Sequence, residues 1–287
     1  MKKSLPALLL LLPLLLGAAT AQAAKIRITV ESPGGVEQHV YLARPVHLAP
    51  DRPVVFVMHG VQRNADEYRD QWHDLAMEHD FLLVVPEFRD GDFPEPEAYN
   101  LGNVFDDKGN RRPESAWSFS AIEPIFDAVR KRFGMTATGY AIYGHSAGAQ
   151  FVHRFLFHVP GARVTRAVAA NAGWYTMPDF DIAYPYGLQG SAVTGEMLGK
   201  ALQLPLTVLL GEEDTDPEHE SLRRTPEALA QGAHRFARGQ AFYAAAQAAA
   251  GRSGVPFNWQ LATVPGADHD NRLMAPPAIP YLLEPQP

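Results

Sequence analysis

A serine within a glycine-flanked pentapeptide is the residue of this sequence best suited to chemistry. Ser146 is the centre of Gly-His-Ser-Ala-Gly at residues 144–148, between an apolar run and a helix-compatible run. This pattern is typical of a nucleophile elbow, a sharp strand-to-helix turn that lifts a serine hydroxyl clear of a sheet. The glycines are needed because a side chain at either flank would collide where the strand and helix backbones approach. The motif therefore predicts a nucleophilic serine.

Such a serine needs a general base and an orienting acid, because a hydroxyl is a weak nucleophile near neutral pH. The apolar run 206–210 is followed by Gly-Glu-Glu-Asp, which places Asp214 just past a predicted strand. The run 259–264 is followed by Pro-Gly-Ala-Asp-His, which places His269 in the same position. Loops at the carboxyl ends of parallel strands converge on one crevice. The order serine, aspartate, histidine is the order expected for this elbow.

Other acidic residues in the same loop compete with Asp214 for the orienting role. Asp216 is the nearest alternative, followed by Glu212 and Glu213, but the Gly-x-x-Asp spacing favours Asp214. The acidic segment 214–220 lacks the glycine and the ligand spacing of a calcium loop. A solvated loop at the end of a strand is therefore the favoured interpretation, and no metal site is predicted.

Apolar runs alternate with helical periodicities along the chain, which predicts a mostly parallel sheet with helices on both faces. Residues 26–30 and 36–42 are predicted strands separated by Ser-Pro-Gly-Gly, a hairpin turn that would add an antiparallel edge. The remaining predicted strands are residues 54–58, 81–85, 140–143, 167–170, 206–210 and 259–264.

Two helices are predicted to begin with a capping box. Asn64 is followed by Glu67, and Ser120 is followed by Glu123, each pair preceding apolar residues at helical spacing. Further helices are expected directly after the serine, at residues 236–250 and at residues 271–283.

The amino terminus has the composition of a secretory signal peptide. Residues 1–23 combine Lys2 and Lys3 with a Leu-rich stretch and a small-residue end, Ala-Gln-Ala. The apolar stretch is shorter than the ~20 residues that span a bilayer, so we predict cleavage, a periplasmic or secreted location and no stable membrane insertion. Residues 24–287 show no repeat or composition break and are predicted to form one catalytic domain, in which the aperiodic segment 174–203 is a small lid.

The composition of the 287-residue chain excludes several kinds of site and partner. It has no cysteine, which rules out cysteine nucleophiles, thiolate metal ligands and disulfides, so core burial must hold the domain together. The formal net charge is −7, and basic residues form only short pairs such as Arg111-Arg112 and Arg223-Arg224. Nucleic acids and anionic membranes are therefore poor partners. The charge identifies neither a substrate nor an oligomeric state.

The sequence resembles the α/β-hydrolases, and among them the secreted esterases related to polyhydroxybutyrate depolymerases and feruloyl esterases. The resemblance rests on the His-Gly pair at 59–60, the elbow around Ser146, and the Pro-Gly pair at 265–266 that precedes His269. It implies that Ser146 is the nucleophile, Asp214 the triad acid and His269 the general base. It further implies hydrolysis of small or polymeric carboxylic esters through an acyl-enzyme, with polyester or hydroxyalkanoate oligomers as the narrower expectation, and neither cofactor nor metal.

The oxyanion formed in such a reaction needs two preorganised donors, and backbone N–H groups suit that role. One is expected from Ala147, which directly follows the nucleophile. The other is expected from Val61, with Gln62 as the second choice, in a loop that resembles the oxyanion loop of the family. His59 is expected to brace that loop by hydrogen bonds.

Aromatic residues crowd the segment predicted as a lid. Trp174 follows the strand next to the elbow strand, so we predict that it forms a wall for the acyl group, with packing against the core as the alternative. Gln62 and His145 are further candidates for substrate contact. His145 is equally suited to packing beside the serine.

Two other functions fit parts of the same pattern. A secreted serine peptidase of this fold would share the triad, but it would need a recognition site for peptide termini and a larger cap. A non-catalytic binding protein of this fold would be expected to have lost the triad or the oxyanion loop, and the sequence retains both. The sequence therefore favours an ester hydrolase.

Overall fold

The computed structural model describes residues 24–283, in which eight strands form one sheet. The strands are β1 (Ala24–Glu31), β2 (Glu37–Arg44), β3 (Val54–Met58), β4 (Leu82–Pro86), β5 (Tyr140–His145), β6 (Val164–Ala170), β7 (Leu206–Gly211) and β8 (Gln260–Val264). Their order across the sheet is β1-β2-β4-β3-β5-β6-β7-β8. The pairs β1–β2 and β2–β4 are antiparallel, and all the other neighbouring pairs are parallel. The predicted fold class is confirmed, whereas the predicted signal peptide lies outside the described residues.

Helices cover both faces of the sheet. Within the described range they are α1 (Ala65–Glu78), α2 (Glu95–Ala98), α3 (Ile122–Phe133), α4 (Ala147–His158), α5 (Gly195–Gln203), α6 (Pro226–Gln231), α7 (Arg235–Ser253) and α8 (Asn271–Leu283). Helices α3, α4, α5 and α7 pack into the core on one face, and α1 and α8 into the core on the other. None of the helices between residues 24 and 283 is long and apolar enough to cross a bilayer.

The central strands are apolar throughout because both of their faces are covered. Every residue of β3, β4, β5 and β7 is buried. Successive side chains along a strand pack into the cores on opposite faces of the sheet, as Phe56 and Val57 in β3 do. Strands β3, β5, β6, β7 and β8 run parallel, so the loops that follow them gather at one edge of the sheet, as predicted for the candidate residues.

Both predicted capping boxes are wrong in their side-chain partners. Helix α1 does begin directly after Asn64, but the Asn64 amide donates to Glu67 Oε2 at 2.7 Å instead of the side chain accepting a backbone N–H. A 3-10 turn precedes α3, and there Ser120 Oγ donates to the carbonyl oxygen of Glu114 at 2.6 Å. The Glu123 carboxylate accepts hydrogen bonds from a guanidinium outside its helix. The spacing located the helix starts, but other partners were available once the chain had folded.

The segment 174–203 contains α5 and otherwise irregular chain that is packed by aromatic contacts. Tyr175 is fully buried and stacks on Phe242 with ring centroids 4.3 Å apart. Trp174 and Tyr186 are also buried, and their ring centroids lie 4.6 Å apart. These contacts fix much of the segment to the core, and its movement as a lid stays a prediction.

Four buried histidines couple the stability of the fold to pH. Burial is the largest cause lowering the pKa of His145 and His153 well below the ordinary value of 6.5, and the pKa of His59 and His158 to about 4. An unfolded chain binds protons at these groups near their ordinary pKa, whereas the folded protein excludes them. The stabilising effect is therefore complete above the unfolded pKa and is lost as the pH falls.

We expect the free energy of unfolding to fall by about 1.4 kcal/mol per pH unit for each such histidine between about pH 6.5 and about pH 4. Urea unfolding across this interval measures the slope. His158→Gln removes one of the four titrating groups and lowers the slope by about 1.4 kcal/mol per pH unit. Equal slopes in the wild type and His158→Gln would contradict this account.

Candidate active site

Ser146 occupies the sharp turn between β5 and α4. Its backbone has φ 57° and ψ −116°, a region that residues with a side chain rarely adopt. The Ser146 N–H donates to the carbonyl oxygen of Ala170 at the end of β6, at 3.0 Å, which fixes the turn to the neighbouring strand. The surrounding structure therefore holds the serine in a strained conformation of the kind expected of a nucleophile elbow.

The glycines on both sides of the serine allow the close contact of the elbow with the sheet. A Cβ atom on Gly144 would overlap the carbonyl oxygen of Gly148. A Cβ atom on Gly148 would overlap the carbonyl oxygen of Met58, the last residue of β3. Helix α4 starts in contact with two strands, and its twelve residues are all buried.

The structure brings Ser146, His269 and Asp214 together in one hydrogen-bonded chain. Ser146 Oγ lies 3.0 Å from His269 Nε2, and His269 Nδ1 lies 2.7 Å from Asp214 Oδ2. Asp214 is buried, whereas the competing Asp216 is exposed and accepts a backbone N–H within its own loop. Of the acidic residues considered for the orienting role, Asp214 is thus the one in contact with the histidine.

The loops that carry the acid and the histidine are tied to each other by an asparagine that the sequence reasoning missed. Asn171 follows β6 with φ 49°, and its side chain donates to the carbonyl oxygen of Asp268 at 2.8 Å. Its Oδ1 accepts the N–H of Gly211 at the end of β7, also at 2.8 Å. A backbone bond from Glu213 to Ala267 joins the same two loops. An asparagine at the end of a strand was the only signal in the sequence for this contact.

The environment of His269 keeps its imidazole neutral near pH 7. Burial is the largest cause and lowers its pKa, the hydrogen bond and the charge of Asp214 raise it, and the charge of Arg235 lowers it, leaving the pKa below 6.5. A neutral imidazole with Nδ1–H directed at Asp214 leaves Nε2 free to accept the hydroxyl proton of Ser146. The arrangement is therefore suited to general-base chemistry at neutral pH.

The loop after β3 lies beside the serine and is braced by His59. Nε2 of His59 accepts the N–H of Phe88 at 3.0 Å, so Nδ1 carries the proton and donates to the carbonyl oxygen of Gly60 at 3.0 Å. In the described range no protein acceptor is found for the backbone N–H of Val61 or of Ala147. Both groups are thus available to a ligand next to Ser146, the arrangement that an oxyanion site requires.

Two clefts meet at Ser146. The larger, of about 620 Å³, extends past Val61, Ala147 and Trp174 and is also lined by Asn100. Its charged lining residues are three arginines and two acids: Arg63, Arg223, Arg235, Asp90 and Glu95. The smaller cleft, of about 420 Å³, contains His269 together with polar residues of the surrounding loops.

The three residues predicted to contact substrate lie in different parts of the site. Trp174 is 4% exposed and forms part of the larger cleft, while Gln62 lines the smaller one. His145 is also almost completely buried, with its ring centroid 4.8 Å from that of His269 and Nδ1 3.2 Å from Tyr68 Oη. Its role is thus mainly to pack beside the histidine, although its ring borders the smaller cleft.

The arginines of the larger cleft were not predicted from the sequence. Arg223 lies with its guanidinium carbon 5.0 Å from the centroid of the Trp174 ring, and Arg154 lies 4.2 Å from the same centroid. Arg154 is fully buried and donates to Thr176 Oγ1 and to the carbonyl oxygen of Asn100, and no carboxylate pairs with it in the described structure. Burial lowers its pKa to about 9, so it remains protonated at neutral pH. The sequence signal for Arg154 was an arginine inside the mostly apolar sequence of α4.

No cluster of three or more His, Cys, Asp or Glu side chains suited to a metal ion occurs between residues 24 and 283.

Comparison with known proteins supports the fold and the resemblance seen in the sequence. Poly(aspartic acid) hydrolase-1 from Sphingomonas sp. KT-1 is 45% identical over 91% of this chain and 98% of its own, with a TM-score of 0.87. LpqC, a poly(3-hydroxybutyrate) depolymerase from Bordetella parapertussis, is 39% identical over 88% of this chain and 87% of its own, with a TM-score of 0.83. The S-formylglutathione hydrolase FrmB from Staphylococcus aureus shares the fold. It is 17% identical over 90% of this chain and 96% of its own, with a TM-score of 0.56. No protein-family model and no curated protein matched the sequence.

The close contact at the elbow leads to a stability prediction. Gly148→Ala would press a methyl group into the carbonyl oxygen of Met58, so we expect a loss of about 3 kcal/mol or more in the free energy of unfolding. Urea unfolding measures the change. Gly161→Ala is the matched control, since its Cβ would meet nothing within 4 Å. Similar stabilities of the two variants would show that the elbow has room for a side chain.

Proposed function

The chain belongs to the α/β-hydrolase family of esterases and depolymerases, and we propose that it cleaves carboxylic esters by serine catalysis through an acyl-enzyme. The hydrogen-bonded chain from Asp214 through His269 to Ser146 is the observation that supports this proposal most directly. The strained elbow and the two unclaimed backbone N–H groups beside it add the parts that acyl transfer needs.

In the proposed reaction Ser146 Oγ attacks the carbonyl carbon of the ester while its proton passes to His269 Nε2. Asp214 holds the imidazole and stabilises its cationic form. The N–H groups of Val61 and Ala147 donate to the oxyanion that develops on the carbonyl oxygen. When the bond to the leaving oxygen breaks, His269 returns the proton to it. A water molecule then attacks the acyl-enzyme and gives a proton to His269. The bond between the acyl carbon and Ser146 Oγ breaks as His269 returns that proton to Oγ, which releases the acid and restores the serine.

The position of His269 supports a division of the substrate between the two clefts. The imidazole must reach the leaving oxygen to protonate it, so the leaving group belongs in the smaller cleft, which contains His269. The acyl part then occupies the larger cleft, where Trp174 forms one wall. Gln62 and His145 border the side of the leaving group.

A second candidate function is hydrolysis of the amide links of an acidic polymer. The Sphingomonas relative is a poly(aspartic acid) hydrolase, and three arginines line the larger cleft of this chain, of which Arg63 and Arg235 pair with Asp90 and Asp214. Arg223 and Arg154 have no carboxylate partner in the described structure. The same triad can cleave an amide if His269 protonates the leaving nitrogen. An uncharged polyester, such as the substrate named for LpqC, would make no use of these charges.

Replacement of the nucleophile tests the mechanism. Ser146→Ala is expected to lower kcat on short p-nitrophenyl esters by about 10⁴-fold or more, because it removes the hydroxyl that is hydrogen-bonded to His269 Nε2. Ser120→Ala, which removes a serine distant in sequence from the elbow, serves as the control and retains wild-type turnover. Unchanged hydrolysis by Ser146→Ala, or a fluorophosphonate label mapped to another serine, would refute the mechanism.

The charge of the larger cleft is tested with two p-nitrophenyl esters of equal acyl length, the pentanoate and the glutarate monoester that ends in a carboxylate. We expect a preference for the charged ester that Arg223→Gln lowers by about 10-fold, the effect of one hydrogen bond to a charged group. Arg224→Gln, at the exposed neighbour, leaves the preference unchanged. A wild-type preference for the pentanoate would favour an uncharged substrate. Hydrolysis of hydroxybutyrate oligomers and of poly(aspartic acid), compared by kcat/KM, then separates the two candidate functions.

A further inference from the structure

The carboxylate of the triad acid has one hydrogen-bond partner on each oxygen. Oδ2 of Asp214 faces His269, and Oδ1 lies 3.1 Å from Nη1 of Arg235. Among residues 24–283, no backbone N–H and no further side chain binds this carboxylate. The ion pair is shielded from water, with the arginine and aspartate side chains 2% and 3% exposed. The guanidinium is therefore the group that fixes the carboxylate on the side away from the imidazole.

Arg235 is itself held in place by backbone contacts at the start of α7 and by contacts of its guanidinium. It is the first residue of α7, and the next N–H, of Phe236, donates to the backbone carbonyl oxygen of Asp214 at 3.2 Å. Its Nη2 donates to Ser221 Oγ at 2.8 Å and lies 3.3 Å from His219 Nδ1. The guanidinium thus joins the two ends of the acidic loop between β7 and α6. A planar fork with several donors can span these acceptors, whereas a lysine ammonium cannot reach them all.

We propose that Arg235 is a positioning residue for the reaction: it orients the carboxylate of Asp214 towards His269 and offsets part of its negative charge. The proposal rests on the proposed catalytic function, since it concerns the same three side chains. Arg235 acts through Asp214 and is not required to touch the substrate.

The two effects of the guanidinium have different kinetic consequences. Orientation of Asp214 keeps the imidazole aligned with the serine, so its loss lowers kcat. The positive charge opposes protonation of His269, so its loss raises the pKa of that imidazole. Because the general base works only when neutral, a raised pKa moves the acid limb of the kcat/KM profile to higher pH.

Other titratable groups also surround His269. His145 from β5 packs 4.8 Å from the imidazole, and His219 from the acidic loop packs 5.8 Å from it. Asp270, next in sequence, lines the same cleft. His145 and Asp270 make no hydrogen bond to Arg235, so their contributions are common to the wild type and the variants. The contribution of His219, whose Nδ1 lies 3.3 Å from Arg235 Nη2, is part of the effect of the guanidinium.

Two substitutions separate orientation from charge. In Arg235→Gln, which lacks both the charge and the fork, we expect the acid limb to rise by about 1 pH unit and kcat on the plateau to fall by about 10- to 100-fold. In Arg235→Lys, which keeps the charge, we expect a similar fall in kcat with less than half of that shift. We expect KM to change little in both variants. Rates are expressed per active site, titrated with a fluorophosphonate, so that misfolded protein does not count.

Arg238→Gln is the matched control. Arg238 lies three residues further along α7, is fully buried, and donates only to the carbonyl oxygens of Gly173, Arg223 and Gly232. A merely structural role for Arg235 would make both glutamine variants alike, with lower thermal stability and an unmoved acid limb. That result would overturn the proposal.

A milder variant keeps the test decisive if Arg235→Gln does not fold. Ser221→Ala removes the acceptor at the far end of the guanidinium and is expected to lower kcat by about 3- to 10-fold. Wild-type kcat in both Ser221→Ala and Arg235→Lys would refute the proposal.

NMR titration of the imidazole of His269, assigned with His269→Gln, measures its pKa without any substrate. A higher pKa in Arg235→Gln than in the wild type supports the proposal even if no ester is hydrolysed, so the failure of the proposed function would be recognised separately. An equal pKa in the two proteins would overturn the part of the proposal that concerns charge.

Discussion

The approach of helix α4 to the sheet is the constraint on which the rest of the site depends. The first turn of the helix lies so close to the end of β3 that a methyl group on Gly148 would overlap the carbonyl oxygen of Met58. This contact brings the serine turn, the N–H of Ala147 and the loop that carries Val61 to one point. The strain in the backbone of Ser146 is sustained because strands on both sides and a fully buried helix hold the turn.

Much of this arrangement could be predicted from the sequence because it depends on local pattern. Ser146, Asp214 and His269 each follow an apolar run, and in a parallel sheet the ends of such runs meet at one edge. Arg223 and Arg235 do not follow such a run, and Asn171 follows one but gives no sign of what it binds. Their partners are distant in sequence and become neighbours only after the loops have packed. The capping boxes failed for the same reason, since polar side chains with several available partners are assigned by tertiary contacts.

Charge in the folded protein is distributed quite differently from the net charge of the chain. The sequence carries a formal net charge of −7, yet three arginines outnumber the two acids, Asp90 and Glu95, that line the larger cleft. Arg154 is fully buried and bonded to neutral oxygens, and no carboxylate between residues 24 and 283 pairs with it. In a region of low dielectric constant, such a charge acts on a neighbouring ligand more strongly than an exposed one.

Substrate choice therefore depends on the cleft and not on the reacting groups. The proposed triad and the N–H groups of Val61 and Ala147 act on a carbonyl whether its leaving atom is oxygen or nitrogen. Trp174 lies against two arginines, so positive charge lies beside the ring that we propose as a wall for the acyl group. An acyl group with a carboxylate at that distance would supply the counter-charge that the protein lacks there, and a neutral one would leave the arginines as they are.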